Sequence, residues 1–197
     1  MATAVNIAGR IEEFLKSLDR QALDAILAEW PRSLLPRPSV PCCLPVLRWL
    51  PRAARDCPAF AADLVDALCR DAPTMQWRQT YAVEELGGAF LDNYGWSEVL
   101  GANGPWASER IACGFLLLGP ATVYPRHRHE AEEIYLPLSG TASWQQGDET
   151  WRERPPGTLI HHAGDEPHAM RTGDGPLLAL YLWRSSDLTQ KARLDAV

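Results

Sequence analysis

The stretch His127-Arg128-His129-Glu130-Ala131-Glu132-Glu133-Ile134-Tyr135, followed by Gly140, is the part of the chain from which the fold can be read. Imidazole and carboxylate are the side chains that hold divalent first-row metals, so this clustering asks for a mononuclear site. His127 and His129 point to one side only if the backbone is extended, with its period of two; a helix would splay them apart. Glu133, Tyr135 and Pro137 then alternate with Ile134, Leu136 and Leu138, which reads as a strand ending at a Ser139-Gly140 turn. Two extended stretches can thus deliver ligands into one pocket. A further imidazole must come from downstream, where His161, His162 and His168 complete the chain's five histidines.

The surrounding texture agrees. From Arg110 onward, short apolar runs are separated by Gly and Pro: Ile111 to Leu118, Ile134 to Leu138, Thr141 to Gln145, Thr158 to Ile160, and Leu177 to Trp183. That is the rhythm of a β-barrel. Upstream, Ile7, Ile11, Phe14, Leu15, Leu18, Leu23, Ile26 and Leu27 recur at helical spacing and stop before Pro31, with a break expected near Asp19. A proline-rich linker from Pro31 to Pro45 leads to Leu47-Arg48-Trp49-Leu50 and a second helical run from Ala59 to Arg70. The expected organisation is a helical extension and lead-in over residues 1–108, covering the barrel or a partner subunit, and a barrel with its metal site over 109–197. A homodimer is compatible with such an apolar helical segment.

At 197 residues and 46% hydrophobic content the chain suffices for one compact unit. A net charge of -6 and the absence of a basic patch argue against nucleic acid as partner. No apolar run reaches the ~20 residues of a membrane span, and the N-terminal residues Met1 to Glu13 lack a basic region followed by an apolar one. The expected location is the cytoplasm. Cys42, Cys43, Cys57, Cys69 and Cys113 are odd in number and lack Cys-x2-Cys spacing, so they read as reduced, mostly packing thiols.

His-x-His-x3-Glu-x6-Gly, complete from His127 to Gly140, resembles the first motif of the cupins, small double-stranded β-barrels with a metal in the mouth. The second motif is looser: Gly157 and His162-Ala163-Gly164-Asp165-Glu166-Pro167-His168 carry a His where the pattern has proline and one extra residue before the last His. His168 is the better fourth ligand, with His161 and His162 as alternatives. A closer resemblance lies in Tyr124 to Tyr135, Pro167-His168-Ala169-Met170-Arg171-Thr172, and Pro176 to Trp183. With Trp77-Arg78-Gln79-Thr80-Tyr81 and Asn93-Tyr94-Gly95-Trp96 upstream, these stretches are similar to the cupin-type dimethylsulfoniopropionate lyases. The resemblance covers roughly the last two-thirds of the chain. It implies a mainly β fold, a cupin double-stranded β-barrel (jelly roll) with an N-terminal α-helical extension. It also implies an enzyme that splits a sulfonium carboxylate into dimethyl sulfide and acrylate.

On this reading His127, His129, Glu133 and His168 hold one divalent transition metal ion (iron, zinc, manganese, nickel or cobalt), with open positions for substrate. Tyr135 sits two residues after Glu133 on the same strand face, so its phenol projects toward the metal. A free phenol, with a pKa of about 10, is a poor base at neutral pH, but a nearby cation lowers that value. The resemblance implies Tyr135 as the base that takes the proton next to the substrate carboxylate, and Tyr124 as a second phenol that orients substrate. The sulfonium end needs a cation-tolerant wall, for which Trp183 is implied by the resemblance and Trp144 and Trp96 are further candidates.

Two other readings share the ligand set. One is a cupin dioxygenase or isomerase, which has no need of an added phenolic base; the other is a non-enzymatic barrel that binds a small ligand. An anaerobic assay separates the first from the lyase, because elimination consumes no dioxygen.

Overall fold

The computed structural model describes residues 6–195; residues 1–5 of the stretch read for a leader, and residues 196–197, lie outside the described part. The helical periodicity becomes α1 (Ile7–Ser17), α2 (Asp24–Ala28), α3 (Leu50–Arg55) and α4 (Ala62–Asp71), joined by short 3-10 turns. Asn6 caps α1 by accepting from the Gly9 amide at 3.0 Å, and Asp19 takes a positive φ of 49°, which ends the first helix where the pattern broke. Pro31 to Leu44 holds no helix or named strand.

The strands are β1 (Trp77–Arg78), β2 (Tyr94–Gly101), β3 (Trp106–Ala107), β4 (Ile111–Leu118), β5 (Val123–Arg128), β6 (Glu132–Ser139), β7 (Ala142–Gln146), β8 (Arg152–Arg154), β9 (Ile160–His162), β10 (His168–Thr172), β11 (Leu177–Arg184) and β12 (Arg193–Leu194). One sheet runs β1-β2-β4-β11-β6-β9, with β3 beside β2; the other runs β12-β5-β10-β7-β8. From β4 to β12 the chain alternates between the two sheets except at the β7–β8 hairpin. That winding is the jelly-roll of a cupin, and the fold is mainly β with a helical extension. A further helix, α5 (Val83–Leu91), falls between β1 and β2 and is bent at Gly87, where φ is 77°.

The larger sheet begins upstream of residue 109, because β1, β2 and β3 belong to it. β2 is invisible to an alternation rule: it is buried along almost its whole length, and its buried residues include the polar Ser97 and Glu98.

This sheet has two apolar faces, which explains continuous runs such as Ile111-Ala112-Cys113-Gly114-Phe115-Leu116-Leu117-Leu118. Its outer face, with Phe115, Leu117, Leu136, Leu180 and Leu182, joins Ile11, Leu15, Val65 and Leu68 of the helices in one core. Its inner face belongs to a second core shared with the smaller sheet, and that core holds Tyr81, Tyr94, Tyr124, Tyr135 and Tyr181, every tyrosine in the chain. The helices therefore back the sheet. Cys113 is buried and Cys57 and Cys69 are half-buried in the helix-side core, while Cys42 and Cys43 are exposed.

Gly140 of the first motif has a physical reason to be glycine. Its φ is 81°, and a Cβ there would lie 2.0 Å from the Pro176 carbonyl oxygen, so the β6–β7 turn closes against the β10–β11 turn only without a side chain.

Candidate metal centre

β5, β6 and β10 deliver the site. His127 ends the regular part of β5 and His129 follows just beyond it; Glu133 and Tyr135 point inward from β6; His168 opens β10 and is paired in register with His127. His127, His129, Glu133 and His168 are all at most 3% exposed. His129, Glu133 and His168 place one ligand atom each within 4.8 Å of one another. His127 stands beside them, its ring centroid 4.2 Å from that of His168 and 6.4 Å from that of His129.

Backbone carbonyls set the orientation of each imidazole. Nδ1 of His127 donates to the Pro125 carbonyl at 2.8 Å, Nδ1 of His129 to Ala131 at 2.9 Å, and Nδ1 of His168 to Glu166 at 2.9 Å. In each ring this leaves Nε2 as the nitrogen facing the cluster, the one that would offer its electron pair to a metal ion. Nε2 of His129 lies 2.9 Å and Nε2 of His168 3.3 Å from Oε2 of Glu133, and among the described residues the buried His168 Nε2 has no hydrogen-bond partner. Three inward imidazole lone pairs and a carboxylate, one nitrogen among them unpartnered in a buried site, fit a divalent cation.

The electrostatics are those of a low-dielectric pocket. Burial pushes the His127 imidazole well below its usual range, and the neighbouring His168 adds to this. Burial works against ionisation of Glu133, but His129 and His168 beside it more than reverse this and hold its carboxyl well below the carboxylate range. Burial, and then the Glu133 charge, drive the Tyr135 phenol well above 10. Positive charge in the pocket is what these phenols lack.

A cavity of about 250 Å³ opens at this cluster. His127, His129, Glu133, Tyr124, Tyr135, Trp96 and Trp183 all line it, joined by Tyr94, Tyr181, Thr80 and residues 188–192 near the C-terminus. Among the described residues, none from α1 to α4 takes part.

A model of the dimethylsulfoniopropionate lyase family matches residues 20–179. The chain belongs to the dimethylsulfoniopropionate lyase family. It is 34% identical over 154 residues to the dimethylsulfoniopropionate lyase DddQ of Ruegeria pomeroyi, covering 78% of this chain and 77% of that one. It is 36% identical over 123 residues to a putative dimethylsulfoniopropionate lyase DddL of Cereibacter sphaeroides, of which it covers 50%. The crystal structure of the Ruegeria pomeroyi DddQ superposes with a TM-score of 0.78 over 92% of this chain and 96% of that one. A chain from the crystal structures of the lyases RdDddP and RnDddQII gives 0.78 at 29% identity, covering 96% of this chain and all of the other.

Within this lyase-family pocket the tryptophans divide. Trp183 lines the cavity, packs on His129 with ring centroids 4.3 Å apart, and donates its indole N–H to Oε1 of Glu133 at 2.7 Å, a bond the sequence did not announce. Trp96 lines the cavity and donates to Oγ1 of Thr80 at 3.0 Å. Trp144, the third candidate for the sulfonium wall, stands apart from them. It is 1% exposed and lies outside the cavity lining, packed against Tyr135 with ring centroids 4.9 Å apart, because inward positions of β7 abut the phenol rather than the opening.

The histidines left open also divide. His162 is fully buried and stacked on His168, ring centroids 4.0 Å apart and 17° from parallel, whereas His161 is turned outward and bonds Glu132 at 2.8 Å. Tyr94 and Tyr181, which line the cavity, and Tyr81, which lies against Tyr124, were not singled out from the sequence. The available signal was that each falls within a stretch carrying the family resemblance.

β5 is braced from outside. Asp195 accepts from Arg126 at 3.0 Å and from Arg128 at 2.6 and 2.8 Å, and β12 pairs Leu194 with His127. Arg128, inside the motif, is therefore a clamp on the C-terminal segment that closes one wall of the cavity.

Among the described residues no helix is long and apolar enough to cross a membrane.

Proposed function

We propose that this chain cleaves dimethylsulfoniopropionate by β-elimination to dimethyl sulfide and acrylate, using one divalent metal ion held by His127, His129, Glu133 and His168. The observation that carries the reading is that His127, His129, Glu133 and the buried Tyr135 phenol line one cavity, with a ligand atom of His168 within 4.8 Å of those of His129 and Glu133. A divalent cation bound there would offset charge on the substrate carboxylate and draw the Tyr135 phenol back toward the neutral range.

The chain's own residues do the rest. Tyr135 takes the proton from the carbon next to the carboxylate; the electron pair left behind forms the new C=C bond, and the C–S pair departs with neutral dimethyl sulfide. Because the leaving group needs no proton, a single base suffices. Tyr124, stacked on His127 with ring centroids 4.0 Å apart and 7° from parallel, lines the same cavity from β5 and orients the substrate. Trp183 and Trp96 present indole faces of the kind that attract alkylated cations, worth ~1 to 2 kcal/mol when desolvated. Enclosure by Tyr94, Tyr181 and Leu116 thins the water around the reacting carbon and strengthens each charge interaction.

The test is anaerobic incubation of purified protein with dimethylsulfoniopropionate, before and after removal of metal by a chelator. Equimolar dimethyl sulfide and acrylate, lost on chelation and restored by a divalent ion, support the reading. A requirement for dioxygen would favour the oxygenase alternative, and no turnover despite bound metal would favour a binding barrel.

A further inference from the structure

Five polar groups run in series at the cavity, four of them in its lining and the fifth, on Tyr81, behind Tyr124. The indole N–H of Trp96 reaches Oγ1 of Thr80 at 3.0 Å, Oγ1 of Thr80 lies 2.7 Å from the Tyr94 hydroxyl, and the Tyr94 hydroxyl lies 3.5 Å from that of Tyr124. The Tyr124 hydroxyl then lies 3.2 Å from that of Tyr81. Tyr94, Tyr124 and Tyr81 are each at most 5% exposed, so these hydroxyls depend on one another rather than on solvent for hydrogen bonds.

One end of the series has a fixed sense. An indole N–H can only donate, so Thr80 Oγ1 accepts from Trp96. The Thr80 hydroxyl hydrogen then has the Tyr94 oxygen as its near acceptor. With Thr80 donating to Tyr94, Tyr94 has its own hydrogen to give to Tyr124 and Tyr124 has its own to give to Tyr81, in contacts whose geometry admits either oxygen as donor. Ring packing holds the phenols in register: Tyr94 stacks on Phe90 with centroids 4.8 Å apart and meets Tyr124 edge-on at 5.1 Å. Gln79 anchors the segment carrying Thr80 by donating to the carbonyls of Leu91 at 2.5 Å and Tyr94 at 2.9 Å.

We propose that Thr80 and Tyr94 are positioning residues, which fix the direction of the Tyr124 hydroxyl beside the metal centre by a one-way chain of hydrogen bonds starting at Trp96. Neither needs to touch the reacting atoms. With Tyr94 donating to it and Tyr81 accepting from it, the Tyr124 oxygen keeps an electron pair for the cavity, which suits the positive end of a sulfonium or quaternary ammonium substrate. The effect on turnover rests on the lyase reading; the arrangement of the hydroxyls does not.

The experiment is a double-mutant cycle of Thr80→Val with Tyr124→Phe on the metal-loaded protein, read as kcat/KM for dimethylsulfoniopropionate. Thr80→Val should lose about tenfold, the scale of one buried neutral hydrogen bond, and Thr80→Ser should recover most of it. In the Tyr124→Phe background Thr80→Val should cost less than about twofold, because its target is already gone. Losses that multiply in full, or a Thr80→Ser variant no better than Thr80→Val, overturn the proposal. Should Thr80→Val fail to fold, Tyr94→Phe runs the same cycle with the same two outcomes.

A second readout is independent of turnover. With tyrosine isotopically labelled at Cζ, the Tyr124 resonance should move in Thr80→Val and stay near its wild-type position in Thr80→Ser; an unmoved Tyr124 signal overturns the proposal. Wild-type protein that releases no dimethyl sulfide would sink the lyase reading while leaving this measurement decisive.

Discussion

The Trp183 indole and the His129 imidazole divide the Glu133 carboxylate between them: Nε1 of Trp183 bonds Oε1 at 2.7 Å and Nε2 of His129 lies 2.9 Å from Oε2. Trp183 thus serves the candidate metal centre from outside it, aiming a carboxylate as well as lining the cavity. Trp183→Phe keeps the ring and removes the donor. Metal affinity should fall about 10- to 100-fold, the usual cost of losing an outer partner of a ligand, as measured by competition with a chelator. Unchanged affinity would confine Trp183 to the substrate wall.

Glu98 gives a pH dependence. It is 7% exposed, and its Oε1 accepts from the amides of Asn103 at 2.5 Å and Gly104 at 2.7 Å; burial is the larger influence and raises its pKa above 4.5. A raised folded-state value means that below the ordinary carboxyl range both states are protonated and nothing is lost. As pH rises past it the unfolded chain ionises first, so stability falls until the folded-state pKa is passed. Glu98→Gln keeps the Oε1 acceptor and removes the charge. Urea unfolding across this range should show the wild type losing stability relative to the variant as pH rises, since carboxyls with depressed values such as Glu133 act alike in both, and a more stable variant at neutral pH. Parallel profiles would show that Glu98 is not the source.

Gly140 is the motif residue whose role is structural. Gly140→Ala combines a left-handed φ of 81° with a Cβ 2.0 Å from the Pro176 carbonyl oxygen. The loss should be at least about 2 kcal/mol, seen as a lower thermal midpoint, with the metal centre's composition unchanged in the protein that folds. A variant as stable as wild type would mean that the two turns separate freely.

What the sequence disclosed followed from local periodicity. Strand periodicity put Glu133 and Tyr135 on one face of β6 and His127 and His129 on one side of the preceding segment, a rule that needs no knowledge of the rest of the chain; that these two segments, in different sheets, face each other came from the fold. The inward set of β11, Leu177, Ala179, Tyr181 and Trp183, was equally implicit in its run. The Tyr124 contacts with Tyr81 and Tyr94 were not, because they join residues 43 and 30 apart, and only the tertiary fold brings those together. β2 was hidden by Ser97 and Glu98, polar residues buried in a strand, and α5 by its two consecutive glycines, the first of which, Gly87, bends it. Trp144 was misplaced because its number of residues from the motif says nothing of whether β7 faces the opening or the back of the phenol.

The most direct test is Tyr135→Phe, assayed for bound metal and for dimethyl sulfide release in the same preparation. The ring fills the same space against Trp144, so structure and metal content should survive while elimination falls on the order of 100-fold or more, the scale of losing a general base. A Tyr135→Phe protein that holds its metal and still eliminates at the wild-type rate would remove Tyr135 from the chemistry and contradict the proposed mechanism.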